Sequence, residues 1–132
     1  MKMNLSRTTI RHAGALVAAV MAMIYFLIGA GVLEIAARNE APDFLFVFGA
    51  LAGGAFLLCA LLLMRFDRRW LWMLGAAFQV FVYWGYFSVA PDRTPAFEVW
   101  GITLRIVQVP LLIALLYLAV RPSEQRPAEV RR

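Results

Sequence analysis

Long unbroken apolar runs, rather than one-sided apolar stripes, dominate the pattern of this chain. Four runs of about 20 residues occur, at about 13–33, 44–64, 70–90 and 95–120. At about 1.5 Å per residue, each run is long enough to cross the hydrocarbon core of a bilayer, which is about 30 Å thick. A soluble helix would keep one polar face instead. The pattern therefore predicts an all-α, four-helix transmembrane bundle with helices at these positions.

Short polar segments with turn residues separate the runs. Pro42 and Asp43 precede the second helix, a basic turn at 65–70 precedes the third, and Thr94-Pro95 forms an N-cap and N1 pair before the fourth. Connections this short favour antiparallel neighbours, which indicates up-down topology. We expect a cytoplasmic segment at 1–12, one transmembrane domain at 13–120 and a disordered cytoplasmic tail at 121–132.

The first apolar run also has to be distinguished from a signal peptide, because basic residues precede it. The run is longer than the usual apolar region of a signal peptide, and no convincing small-residue cleavage site follows it. We interpret it as a retained first helix.

The distribution of basic residues predicts the orientation. The chain has 132 residues and a net charge of +5, and ten of its 13 Lys and Arg lie in the N-terminal segment, the 65–70 turn and the C-terminal tail. Cytoplasmic loops carry such an excess, so both termini are expected in the cytoplasm of a cell, with the protein in a bacterial inner membrane. Because the basic residues cluster at helix ends, we expect no nucleic-acid partner.

Small residues on the second helix predict a close helix contact. Gly49 and Gly53 are four residues apart, and Ala50 and Gly54 repeat this spacing beside them. Such strips allow two helix backbones to approach in lipid. The contact could be made within the bundle or with a second copy of the chain.

Three polar side chains fall near the middle of the predicted helices: Tyr25, Gln79 and Gln108. An unpaired amide in hydrocarbon is unfavourable, so these side chains are expected to face inward and bond one another. This arrangement predicts a midplane polar layer, which either stabilises the bundle or forms a ligand pathway.

Arg105 lies three residues before Gln108 and shares its face. A guanidinium within a membrane is a candidate functional group and requires a partner. Glu34, at the outer end of the first helix, is the expected partner, and Glu98 is the alternative. Pro110 cannot donate to the carbonyl of residue 106, so a kink is expected there.

Residues typical of catalytic or metal sites are scarce. His12 is the single histidine and Cys59 the single cysteine, so neither a bis-histidine haem site nor an intrachain disulfide is possible within one chain. We expect no cofactor and no metal, and enzyme is the least supported class.

The stretch YFLIGAGVLE at 25–34 resembles the opening helix of DoxX-like four-helix membrane proteins. This likeness covers ten residues and assigns no role to any of them.

Two functional hypotheses follow. In the first, the chain is a structural or accessory membrane protein that associates with itself or with a larger membrane complex through helix packing. In the second, it is a small transporter or a lipid- or quinone-binding protein that uses the polar layer beneath Arg105. In both, the bilayer is its immediate partner.

Overall fold

The fold is all-helical over the part of the chain that the structure describes. The structure is a computed structural model and describes residues 6–33, 42–92 and 97–121. The α-helices are α1 (Arg7–Gly29), α2 (Pro42–Arg65), α3 (Arg69–Val89) and α4 (Val99–Val120), and a short 3-10 helix (Ala90–Asp92) follows α3. All four α-helices are long and apolar enough to span a membrane, as predicted.

The ends of α1 differ from the predicted 13–33. The helix begins six residues earlier because the Ser6 side chain accepts a hydrogen bond from the Thr9 backbone N–H, which caps the first turn. It ends four residues earlier, at Gly29. Gly31 has a φ of +74°, and the N–H of Val32 bonds the carbonyl of Leu27 at 2.9 Å, which is a Schellman-type ending.

The other helices begin and end closer to the predicted positions. α2 begins at Pro42, so Asp43 lies in its first turn rather than at the cap. α4 begins at Val99 and continues through Pro110. The predicted cap at Thr94-Pro95 lies outside the described residues.

Two central helices, α1 and α4, organise the packing. α1 packs along both α2 and α4, and α3 packs along α4. Within the described residues, α2 and α3 approach each other much less closely, although the rings of Phe56 and Phe78 meet at 6.3 Å between centroids. The order across the molecule is therefore α2–α1–α4–α3, with α2 and α3 at the edges.

The α1–α2 contact depends on glycine. A Cβ placed on Gly49 would lie 2.5 Å from the Gly29 Cα and 2.6 Å from the Tyr25 carbonyl oxygen. A Cβ on Gly53 would meet the Phe26 ring at 2.7 Å. The absence of side chains at these positions lets the two backbones touch, as the small-residue strips of membrane helices do.

Arginines tie the helix ends together on the side of the 65–70 turn. Arg11 donates to the Leu63 and Met64 carbonyls at the end of α2, and Arg69 donates to the Ala119 carbonyl at the end of α4. The last carbonyls of a helix have no partner within the helix and carry its negative dipole end. These cations therefore cap neighbouring helices.

Candidate functional site

Arg105 is a buried cation in the first half of α4. It lies six residues after Val99, about 9 Å along the helix axis, and its side chain is only 6% exposed. Nη2 donates to the Tyr25 hydroxyl at 2.6 Å, and Nη1 donates to the Val82 carbonyl at 3.3 Å. One guanidinium thus links α4 to α1 and α3.

Aromatic faces complete the surroundings of the guanidinium. Its Cζ lies 4.9 Å from the centre of the Tyr86 ring and 5.8 Å from that of the Tyr83 ring. Tyr83 also donates its hydroxyl to the Arg105 backbone carbonyl at 2.6 Å. These cation–π contacts stabilise a desolvated cation.

Several N–H donors of this buried cation have no partner among the described residues. Arg105 Nε has no hydrogen-bond partner among the described residues. Among the side chains that the structure describes, no carboxylate lies within ion-pair distance of the guanidinium. Among the described residues, the groups that bond or stack on the guanidinium are neutral, and only two of its five N–H groups have a hydrogen-bond partner.

A cavity of about 270 Å³ adjoins Arg105. Apolar and aromatic side chains form most of its wall, and the polar groups include Arg105, Tyr25 and Glu98. Two glycines also line it. At Gly85, a Cβ would meet no atom of the rest of the molecule within 4 Å, whereas at Gly101 it would meet the Tyr86 ring. All four helices contribute to the wall. The lining residues are Tyr25 and Ile28 from α1, Phe48 from α2, Phe81, Val82, Gly85 and Tyr86 from α3, and Gly101, Leu104 and Arg105 from α4.

Side chains of both edge helices line the cavity. Phe48 of α2 and Phe81 of α3 form part of its wall, and they are 42% and 63% exposed.

Gln79 and Gln108 form a separate buried pair. They are 1% and 0% exposed, and Gln108 Nε2 donates to Gln79 Oε1 and, at 3.4 Å, to the Gln79 carbonyl. Gln108 Oε1 has no hydrogen-bond partner among the described residues. Neither glutamine lines the cavity.

The expected polar layer is thus divided in two. The glutamines contact each other, but Tyr25 bonds Arg105 instead. The reason is the position of α1: because the helix ends at Gly29, Tyr25 lies only about 6 Å from its end, at the level of Arg105 rather than at mid-helix. Glu34 lies outside the described residues. Glu98, the alternative partner, lines the same cavity as Arg105.

The small residues of α2 also separate into two sets. Gly49 and Gly53 are buried against α1. Ala50 is exposed, and a Cβ on Gly54 would meet no atom of the rest of the molecule within 4 Å. Within the described residues, the second strip therefore makes no close helix contact at Gly54, which is half-buried.

Sequence reasoning missed the α3 wall of the site. Tyr83 and Tyr86 lie one turn apart and hold the Arg105 charge between them, and Gly85 leaves space beside it. The available signal was two tyrosines at i, i+3 spacing in an apolar run. Tyrosines near helix ends are also typical of the membrane interface. The spacing alone therefore could not distinguish tyrosines that contact Arg105 from tyrosines that lie at the interface.

The described residues contain no group of three or more His, Cys, Asp or Glu side chains placed to hold a metal ion. The chemistry that the site offers is recognition, by a buried guanidinium in a cavity whose wall is mostly aromatic and aliphatic and also includes Tyr25 and Glu98. No protein family, curated protein or solved structure matches the chain.

Proposed function

We propose that this chain is a small membrane-spanning protein that binds a lipid-soluble small molecule in the cavity beside Arg105. The observation that carries the proposal is a buried guanidinium that lines the cavity and has no carboxylate partner among the described residues. Burying a charge without full compensation is expensive, and intramembrane ionisable groups usually serve a function. A ligand that places a hydrogen-bond acceptor at the Arg105 guanidinium would offset this cost.

The proposed protein crosses the membrane four times, up and down, with both termini in the cytoplasm. The asymmetry of Lys and Arg supports this orientation. With this orientation, α4 runs from the outer side to the cytoplasm. The cavity then lies in the outer half of the bilayer, because Arg105 is near the start of α4. A reporter active only in the cytoplasm and fused after residue 132 should be active; activity of a reporter that requires export would contradict the orientation.

A second candidate is the accessory role, in which the chain associates with a copy of itself or with a larger complex. The specific support is the strip of exposed Ala50 and half-buried Gly54 on α2, a small-residue surface that no described residue contacts at the Gly54 Cβ position. This surface lies apart from the cavity, so the two roles can be tested separately.

Two glycine substitutions separate the candidates. Gly85→Leu places a side chain at the cavity wall, and Gly54→Leu places the same side chain on the exposed strip; neither new Cβ meets another part of the molecule. Native mass spectrometry of the protein extracted from its own membranes in mild detergent gives the readout. Binding in the cavity predicts a small retained mass on the wild type and on Gly54→Leu that is lost from Gly85→Leu.

The opposite pattern supports the accessory role. Stoichiometric copies or foreign subunits should then be retained on Gly85→Leu and lost from Gly54→Leu. Extraction of a wild-type chain that carries no small molecule would contradict the proposed binding function.

A further inference from the structure

We propose that the turn between α2 and α3 binds the head group of an anionic phospholipid. The binding surface, called the turn site, consists of Arg65 and Arg68 with the neighbouring rings of Phe66 and Trp70. The proposal goes beyond a ligand in the cavity, and of the proposed function it uses only the membrane-spanning arrangement of the four helices. Charge, spacing and the apolar surroundings of the turn support it separately.

The turn site lies at the end of the bundle away from the Arg105 cavity. Arg69, which belongs to the same turn, donates to the Ala119 carbonyl at the end of α4. Arg105 lies six residues after the start of that helix. None of the residues of the turn site lines the cavity, so a lipid at the turn and a ligand beside Arg105 do not compete for the same side chains.

Two arginines at this end of the bundle are left without a partner. The other arginines described at this end contact carbonyls, a carboxylate or a ring of the protein itself; they are Arg7, Arg11, Arg69 and Arg121. The guanidinium groups of Arg65 and Arg68 make no hydrogen bond, ion pair or ring contact within the described residues, and both residues are exposed. Their two positive charges are therefore available to a ligand.

The carboxylate within the turn does not neutralise this pair. Asp67 lies between the two arginines in the sequence, but both of its oxygens accept hydrogen bonds from Arg7 of α1. Asp92 and Glu98 lie at the other end of the bundle, after α3 and before α4. Because Arg7 compensates the charge of Asp67, the turn keeps a net positive charge that attracts anions.

The two arginines are close enough to share one phosphate group. Arg65 is the last residue of α2, and Arg68 directly precedes the first residue of α3. Even a fully extended backbone covers only about 11 Å over this separation of three residues. A guanidinium has several N–H donors in a planar fork that matches the oxygens of a phosphate. Two such groups on one turn can therefore bond the same phosphate.

The apolar surroundings favour a lipid over free phosphate as the source of that group. Phe66 and Trp70 are 48% and 61% exposed beside the arginines. Exposed apolar side chains continue from the turn along both helices; they are Leu61 and Met64 on α2 and Met73 and Leu74 on α3. Tryptophan at a helix end is typical of the boundary between head groups and hydrocarbon. A head group bound at the arginines would thus place its acyl chains against these helix surfaces.

Native mass spectrometry of the delipidated full chain in a neutral detergent tests the turn site. The chain is titrated with phosphatidylglycerol and, separately, with phosphatidylcholine that carries the same acyl chains. We expect the first phosphatidylglycerol to bind at least about tenfold more tightly than phosphatidylcholine. Arg65→Gln combined with Arg68→Gln should weaken phosphatidylglycerol binding roughly 10- to 30-fold, because each basic residue near an anionic lipid contributes about fivefold.

Three variants serve as controls. Arg65→Lys combined with Arg68→Lys keeps both charges and should retain most of the binding. Arg38 and Arg93 lie in the segments that join α1 to α2 and α3 to α4, so replacing both with Gln removes the same charge elsewhere and should leave binding unchanged. Gly85→Leu alters the cavity alone and should also bind phosphatidylglycerol normally, which keeps this test independent of the cavity ligand.

Several results would overturn the turn site. Normal binding by the glutamine variant of Arg65 and Arg68, or an equal loss in that of Arg38 and Arg93, would mean that net charge alone attracts the lipid. Phosphatidylcholine bound as tightly as phosphatidylglycerol would remove the role of the anionic head group. Displacement of the lipid by inorganic phosphate would identify free phosphate as the ligand. A foreign subunit retained from native membranes in place of the lipid, and lost from the Arg65 and Arg68 variant, would identify an acidic protein.

Discussion

At the scale of single residues, the interior contains two polar contacts that lie apart from each other. Arg105 is satisfied by neutral acceptors and rings and lines a cavity, while Gln79 and Gln108 pair in a closely packed region between α3 and α4. A cation that lines a cavity can gain a further partner from a ligand. A pair without adjacent space can only serve packing, so the two contacts should respond differently to substitution.

Replacing both glutamines should destabilise the protein by much less than the sum of the two single replacements. Gln108→Leu or Gln79→Leu alone leaves a buried amide without its partner, which costs about 1–3 kcal/mol. In the double variant no amide remains, and the loss should be well below the sum of the two. Unfolding of all four proteins in mixed detergent micelles gives the double-mutant cycle. Equal and additive losses would show that the amides do not interact.

The sequence predicted which residues are polar and buried, but not how they pair. Tyr25, Gln79, Gln108 and Arg105 stand out because a polar group in an apolar run has to be satisfied. The partner of Tyr25 depended on where α1 ends, and the apolar run extends past that point to Leu33. Gly31, which adopts the left-handed conformation, was the available signal.

At the scale of helices, α1 and α2 are held together by direct backbone contact. Gly49 faces Gly29, and the Phe26 ring covers Gly53. In lipid, such close approach supplies the van der Waals contact that replaces the hydrophobic effect as the driving force. Ala50 and Gly54 have the same spacing, but a Cβ on Gly54 would meet no atom within 4 Å among the described residues, so Gly54 provides a matched control.

Gly49→Ala should loosen the α1–α2 pair. The new Cβ would lie 2.5 Å from the Gly29 Cα, so the backbones of the two helices would have to move apart. We expect the free energy of unfolding to fall by about 1–3 kcal/mol. Gly54→Ala meets no other part of the molecule and should be neutral or stabilising by up to about 1 kcal/mol, from helix propensity. Thermal unfolding in one detergent compares them. Equal stability of the two variants would contradict the close contact.

The number of helices and their type could be predicted from hydropathy, because a run of about 20 apolar residues has few alternatives. The contacts between helices could not. The strip pattern on α2 gave four small residues without indicating which pair faces α1. That choice depends on the rotation of the helix about its axis, which an almost uniformly apolar helix does not encode in its sequence pattern.

At the scale of the whole molecule, one cluster joins distant parts of the chain. Arg7 pairs with Asp67 of the 65–70 turn at 2.7 Å and also donates to the Leu118 and Arg121 carbonyls at the end of α4. The Trp72 indole N–H donates to the same carboxylate at 3.2 Å. Basic residues that predicted orientation therefore also close the bundle at this end, a role that charge counting did not predict.

The stability that this cluster contributes should depend on pH in a defined direction. Hydrogen bonds from Arg7 lower the pKa of Asp67 from 3.8, against a smaller opposing effect of burial, with the Trp72 hydrogen bond and the charges of Arg7 and Arg11 adding to the lowering. A carboxylate whose pKa is lower in the folded state stabilises the fold fully above its unfolded-state pKa. This contribution is lost as the pH falls through the folded-state pKa. Asp67 is partly exposed to solvent, so the effect should be modest.

Asp67→Asn isolates this charge, since an amide oxygen can still accept from Trp72 and Arg7. Near pH 7 the variant should unfold at a lower temperature than the wild type. The difference should shrink as the pH is lowered below 3.8, because the wild-type carboxylate then also becomes neutral. Asp92→Asn, which neutralises an exposed aspartate after α3, should match the wild type throughout. A difference for Asp67→Asn that stays constant down to about pH 2 would mean that the substitution acts through packing, because charge linkage requires the two proteins to converge once the carboxylate is protonated.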